Sequence, residues 1–393
     1  MACFRMNAPS SAAWPWAKWA TRLERNRYYR WMRRLYTRYA DIAPVVFFGG
    51  GVLWDVLTLR RIDHAIDNLI LGGYLVLLGG CIVLAALRIV HRLPAQPLLK
   101  TIEPFSISGV QFFLGGLFSA YVVYFTRSAS LTASAVFLVI LVAVLVANEF
   151  VWRESINLPL MLGLYFLATF CFFTFFLPII VGSMGHALFV AGGLLSLALV
   201  GGLVLLLDRW GVFASTAQLV RVFAVMGALF AVMNIAYVQN WIPPVPLSMQ
   251  AGNVYHNVEV TPDGYELTYE TPPWTRFWRR SSTPFTYVNG DNVYFFAAIF
   301  APTALQTSVV HRWQRRSSDE DDPTWRTTDR IPYTVQGGRL EGYRGYTVKS
   351  NITPGEWRVD VETAGGRTLG RVHFKVVAAP DDAERTFQTR LYE

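Results

Sequence analysis

The run LPLMLGLYFLATFCFFTFFLPIIV, residues 158–181, contains no charged side chain. A bilayer core is about 30 Å thick and a helix rises about 1.5 Å per residue, so about 20 apolar residues suffice to cross it. Outward from this run the pattern recurs. Stretches 42–59, 69–90, 105–125, 131–147, 186–207 and 217–238 are long enough, or nearly so, to do the same. The stretch at 42–59 is the weakest, because it carries Asp55 and the triplet Gly49, Gly50 and Gly51. The expected membrane part is therefore a bundle of about seven spans over residues 41–239, joined by short loops.

Composition agrees. Of 393 residues 53% are hydrophobic and 16% charged, where soluble domains carry about a quarter charged. An ordinary soluble enzyme, a disordered chain and a disulfide scaffold are excluded. Cys3, Cys81 and Cys171 have no metal-ligand spacing.

The net charge of +8 is localised. Residues 1–40 hold nine Lys and Arg against one acid, residues 41–239 nine against eight, and residues 240–393 seventeen against eighteen. Residues 14–39 read as a basic amphipathic helix. Trp16, Trp19, Leu23, Trp31, Leu35 and Tyr39 recur at roughly helical spacing, with arginines largely between them. Such an arm lies on anionic lipid at the cytoplasmic face. No nucleic-acid recognition fold accompanies the charge, so nucleic acid is not an expected partner. With the N-terminus inside, the inner segments hold fifteen Lys and Arg and the outer loops three. Positive charge marks the cytoplasmic side, and an odd number of spans then leaves the C-terminal region outside.

Within or beside the spans, ionisable groups are few. Asp55 is the most interior, His186 sits near a span end, and Glu149 lies just beyond one. Buried charge is costly in lipid, which makes each a candidate site. For Glu149, a local pair with Arg153 at the interface is the plainer account. Gly72 and Gly79, Gly73 and Gly80, and Gly109 and Gly116 repeat every seven residues, and Gly192 with Ser196 forms a small-xxx-small pair. Close helix packing is the default reading of these positions.

From Asn240 the character changes. Pro243, Pro244 and Pro246 end the last helix. Residues 240–393 then read as seven or eight short strands near 253–260, 265–270, 292–300, 307–314, 333–336 and 346–350, followed by a hairpin. In that hairpin Trp357, Val359 and Val361 share one face and Arg358, Asp360 and Glu362 the other, before a turn at residues 364–367. The expected fold of this part is an all-β immunoglobulin-like sandwich without a cysteine staple.

An ordered set of segments carries a family resemblance: residues 292–299, His311-Arg312-Trp313, residues 342–349, residues 355–359 and residues 370–374. Over roughly the last 100 residues the chain resembles the bacterial domain-of-unknown-function family 2914, which often follows a multi-span membrane region. The resemblance implies a bacterial inner-membrane protein with a periplasmic β domain, and it implies no activity.

Two places in the outer part are candidate binding groups. Trp274, Phe277 and Trp278 interleave with Arg276, Arg279 and Arg280 in a proline-flanked loop, a composition suited to sugar or peptide stacking, anionic headgroups or the outer leaflet. His311 and Trp313 lie two apart on a strand and face the same way, either as a packed pair or as ligand contacts. Asp319 to Asp322 lack the spacing and turn glycine of a calcium loop and read as a solvated tip. Neither a phosphate-binding Gly-Lys-Ser/Thr loop, a nucleophile elbow nor a zinc-hydrolase His-Glu pattern is present, so no catalytic group, metal or cofactor is assigned. The expected function is non-enzymatic: binding, sensing or scaffolding of an envelope protein or glycan. The alternative is a transporter or membrane-embedded enzyme acting in the bundle around Asp55.

Overall fold

The structure is a computed structural model. It describes residues 53, 55–57, 59, 64–91, 106–128, 131–151, 157–302, 305–317, 324–339, 342–380 and 384–392. The chain divides into two units, Met1–Leu57 and Thr58–Glu393. The basic arm, most of the stretch 42–59, and Asp319 to Asp322 fall outside the described residues.

Among the described residues six long α-helices come first: α1 (Ala65–Ile89), α2 (Ser106–Ser128), α3 (Leu131–Val151), α4 (Leu158–Val181), α5 (His186–Arg209) and α6 (Thr216–Val238). All except α3 are long and apolar enough to cross a membrane, and α3 is apolar over Ser134–Ala147. Their ends are set locally. The Asn157 side chain caps α4 by accepting from the Leu160 amide at 3.1 Å, and Gly182 closes it in the left-handed region at φ 69°. At α6, the Ser215 hydroxyl accepts from the Gln218 amide while the Gln218 side chain accepts from the Ala214 amide, a near-reciprocal capping box. Thr169, Thr174 and Ser196 return their hydroxyls to carbonyls one turn back, which satisfies polar groups that lipid could not.

Aromatic and small residues fit together between helices. A Cβ on Gly79 would meet Tyr165 at 2.8 Å, one on Gly116 would meet Tyr74 at 2.9 Å, and one on Gly109 would meet Cys81 at 2.7 Å. Gly73 and Gly80 differ from this expectation, since a Cβ there meets nothing within 4 Å. The seven-residue repeat marks one helix face, and only part of that face has a neighbour. The contrast yields a prediction. In a helix interior, Gly→Ala normally stabilises by about 1 kcal/mol. Gly80→Ala should raise the melting temperature in detergent or leave it unchanged. Gly193→Ala should lower it by an overpacking cost of about 1–3 kcal/mol, because its Cβ would lie 2.6 Å from both Phe170 and Phe230. Equal shifts for the two variants would refute this account of the packing.

Eleven strands follow among the described residues: β1 (Ser248–Tyr255), β2 (Asn257–Thr261), β3 (Gly264–Glu270), β4 (Phe285–Tyr287), β5 (Val293–Phe300), β6 (Gln306–Arg316), β7 (Trp325–Gln336), β8 (Tyr343–Lys349), β9 (Gly355–Thr363), β10 (Thr368–Ala378) and β11 (Phe387–Tyr392). They form three sheets with orders β1-β5-β8, β4-β10-β9-β6-β7 and β11-β3-β2. All pairings are antiparallel except β4 with β10. The hairpin read from the sequence is β9–β10, with Trp357 opposite Phe374 and Val359 opposite Val372.

Strand β5 is buried on both faces. Phe295, Ala297 and Ile299 join Trp313, Val359, Val361, Phe374 and Val376 of the five-stranded sheet in one core. Phe296 and Ala298 point the other way, into a second cluster with Leu267 and Tyr269 of β3. The third sheet was absent from the expected arrangement. It arises because the chain 248–261 breaks at His256, leaving β5 after β1 and turning onto β3 as β2. There the His256 ring stacks 4.0 Å from Phe285 and bonds Glu270 at 2.9 Å.

The β region meets the helices at the α4–α5 turn and the end of α6. Arg367, in the β9–β10 turn, sits 3.3 Å over the Tyr237 ring, and Met184 packs against the β core. Burial works to lower the Arg367 pKa there, against the opposing influence of the Tyr237 hydroxyl.

Candidate functional site

The loop between β3 and β4 is held away from helix or strand by Pro272, Pro273 and Pro284, apart from one 3₁₀ turn at Trp274–Arg276. Its rings face solvent: Trp274 is 87% exposed, Phe277 76% and Trp278 64%. Phe277 and Trp278 stack edge to face at 5.2 Å. Arg279 turns back and donates from Nη1 to the Thr283 carbonyl at 2.5 Å, which fixes the base of the loop.

Against that base the loop and β10 enclose two adjoining grooves. One, of about 400 Å³, is lined by Asn253, Trp278, Arg279, Arg280, Val372, His373 and Arg390, among others. The other, of about 430 Å³, is lined by Arg279, Trp325, Glu356, Trp357, His373 and Lys375, among others. Arg279, Thr283 and His373 belong to both, so the two form one cleft. Its walls carry Arg279, Arg280, Arg390 and Lys375. The one lining acid, Glu356, is engaged by Arg316 at 2.6 Å. Burial first, and then the cations Arg371 and Arg358, lower the His373 pKa against the opposing carboxylates of Asp360 and Glu356. Trp325 stands 5.5 Å from His373 and carries Arg358 on its face at 4.5 Å.

Beside the cleft, the outer face of the five-stranded sheet holds an ion-pair network. Asp360 receives Arg371 through Nε at 2.5 Å and Nη2 at 2.8 Å, and Arg312 at 2.9 Å. Arg312 also pairs with Glu362 at 2.8 Å. Although Asp360 and Glu362 sit on the outward register of β9, they are 0% and 2% exposed. Burial raises the Glu362 carboxyl, and Arg312 offsets this only in part.

The sequence candidates are distributed as follows. Trp278, Arg279 and Arg280 line the cleft, whereas Trp274, Arg276 and Phe277 stand outside it on the same loop. His311 and Trp313 are fully buried. Both side chains face the core, bonded through the Thr347 hydroxyl. His186 begins α5 and stacks on Tyr237 at 5.6 Å. Asp55 is half-buried in a short helical stretch, and Glu149 lies in the last turns of α3. Sequence reasoning missed Trp325, His373, Lys375 and Arg390 as parts of the site. His373 and Lys375 alternate with the buried Phe374 and Val376 on β10, but only the folded chain brings the 278–283 segment beside them. Among the described residues, no group of three or more His, Cys, Asp or Glu could hold a metal ion.

No curated protein matches the chain. Solved structures give faint likenesses. A Kluyveromyces marxianus β-glucosidase in complex with glucose is 11% identical, covering 36% of this chain and 15% of that one, with a TM-score of 0.17. A Listeria innocua β-glucosidase in complex with gluconolactone is 14% identical, covering 35% and 18%, with a TM-score of 0.18. The Pseudomonas fluorescens alkylpurine DNA glycosylase AlkC, bound to DNA containing an abasic-site analog, is 8% identical, covering 81% and 99%, with a TM-score of 0.20. The chain spans less than a fifth of either glucosidase, and likenesses at these TM-scores carry no argument. Residues 306–376, from the start of β6 into β10, match the family described as "Protein of unknown function (DUF2914)", a match in the C-terminal region consistent with a DUF2914 domain there.

Proposed function

We propose that the chain is a non-enzymatic integral protein of a bacterial inner membrane that presents its β region to the periplasm, where the cleft binds an envelope component. The cationic and aromatic cleft carries the reading: exposed Trp278 and the cations Arg280 and Lys375 line one concave surface. A contiguous patch of exposed rings such as Trp274, Phe277 and Trp278 marks an interaction surface. The Lys and Arg asymmetry supports a cytoplasmic N-terminus, with β1 and all that follows outside.

The β region takes the immunoglobulin-like form in this reading. Strand order supports it: β1-β5-β8 faces β4-β10-β9-β6-β7, β4 adds in parallel to β10, and a buried Trp313 lies on β6 at the core. Strands β2, β3 and β11 are then an addition outside β5.

Alkaline phosphatase fused after Val245 should be active, and a cytoplasmic fluorescent reporter at the same point should be dark; the reverse would overturn the topology. A photoreactive amino acid in place of Trp278 should give crosslinks in living cells. These should vanish when Arg280 and Lys375 are both changed to Glu while the protein level stays constant. Crosslinks indifferent to that change would remove the cleft from the proposed function.

A further inference from the structure

We propose that the cleft is a site for an acidic pyranose: a glycan whose sugar rings carry carboxylate or phosphate groups. The inference rests on the binding role proposed above and adds the class of ligand.

Three features combine. The first is charge. Arg280 and Lys375 are exposed and make no ion pair among the described residues, while Glu356 is already held by Arg316. Glu356 faces Lys375 across the β9–β10 pair, and the cleft lining otherwise carries cations, Arg279, Arg280, Arg390 and Lys375, in excess of that one carboxylate. The second is shape and surface. The indole of Trp278 borders one groove and that of Trp325 the other, with His373 between them. The axial C–H face of a pyranose packs on an indole, and its acidic substituent reaches an arginine or lysine at the rim. One sugar unit therefore supplies both kinds of contact that the walls present. An acidic peptide supplies the charge but no flat C–H face.

The third is position. A strand rises about 3.3 Å per residue, so His373 lies roughly 20 Å along β10 from Arg367, where the β region meets the helix ends. That separation from the helix ends favours a ligand projecting outward from the membrane over a headgroup beside α6.

The test is calorimetric titration of the full-length protein in nanodiscs of neutral lipid. The probes are tetragalacturonate, its fully methyl-esterified neutral form, glucose 6-phosphate, glucose and tetraglutamate. Tetragalacturonate or glucose 6-phosphate should bind at least about tenfold more tightly than its neutral counterpart, and the tetrasaccharide more tightly than tetraglutamate. Arg280→Glu and Lys375→Glu are exposed changes away from the core, and each should weaken binding about fivefold or more. Trp278→Ala should weaken it as much, with Trp278→Phe retaining most of the affinity. On binding, the His373 pKa measured by NMR should rise.

The proposal is overturned if neither acidic sugar exceeds its neutral form, if tetraglutamate matches tetragalacturonate, or if Trp278→Ala leaves affinity unchanged. If the acidic sugars fail while Trp278 crosslinks to a protein in cells, the ligand class falls and the binding role stands. If the crosslinks also fail, both fall.

Discussion

Asp360→Ala is expected to destabilise the β region by about 3 kcal/mol, near the lower end of the 3–5 kcal/mol typical when one partner of a buried ion pair is removed. The carboxylate is 0% exposed and accepts three charged hydrogen bonds, two from the Arg371 fork and one from Arg312. Removing it leaves two guanidinium groups facing each other, with Arg358 close enough to add repulsion. Both arginine side chains are about a quarter exposed and can turn toward water, which keeps the loss from reaching the top of the range. Glu362→Gln should cost far less, because burial already works against its charge. Denaturation of the purified protein in detergent, followed through the Asp360 and Arg371 double-mutant cycle, measures the coupling. A loss under about 1 kcal/mol would class the network with ordinary surface pairs. The pH sign follows from the same contacts. Burial acts to raise the Asp360 pKa, but the bonds from Arg371 and Arg312 outweigh it and hold the carboxyl below its ordinary range. Its contribution is therefore present above the unfolded carboxylate pKa and lost as pH falls through the folded one.

That network also shows where the sequence was legible and where it was not. Alternation alone placed Trp357, Val359 and Val361 inside and Arg358, Asp360 and Glu362 outside, and the register of β9 agrees. Alternation reports which face a residue takes, not what covers that face. Arginines close over Asp360 from both neighbours, Arg371 from across the hairpin and Arg312 from β6, which is remote in sequence. Long apolar helices were legible because lipid demands an uninterrupted run, as at residues 158–181. Strands β4 and β11 were not. Each is short and pairs with a partner far away in the chain, β4 with β10 and β11 with β3. The cleft was half legible for the same reason. Its loop is one contiguous segment of rings and arginines, while its far wall is built from β7, β10 and Arg390.

Trp313→Ala is expected to be at least as damaging, at about 3–5 kcal/mol for a large ring removed from a packed core. Trp313 is fully buried between Phe295 and Phe374, each 6.2 Å away edge to face. Its Nε1 donates to the Thr347 hydroxyl at 3.2 Å, and that oxygen also lies 3.1 Å from His311 Nδ1. His311 Nε2 in turn lies 3.0 Å from the Tyr333 hydroxyl, so each ring nitrogen has a hydroxyl partner. Burial lowers the His311 pKa to about 3, which keeps the ring neutral between these two hydroxyls. Unfolded histidine titrates near 6.5, so between about 6.5 and 3 the unfolded state takes up a proton that the folded state refuses. Stability from this residue is complete above pH 6.5 and falls with acidification, by up to about 1.4 kcal/mol per pH unit. Trp313→Phe should keep most of the packing and lose only the hydrogen bond, about 1–2 kcal/mol. His311→Gln, neutral at every pH, should lower stability at pH 7 yet flatten its decline toward pH 4. Hydrogen exchange at the β6 amides follows both effects in the intact protein. An unchanged pH slope in His311→Gln would show that the acid sensitivity of the core arises from the carboxylates of the outer network instead.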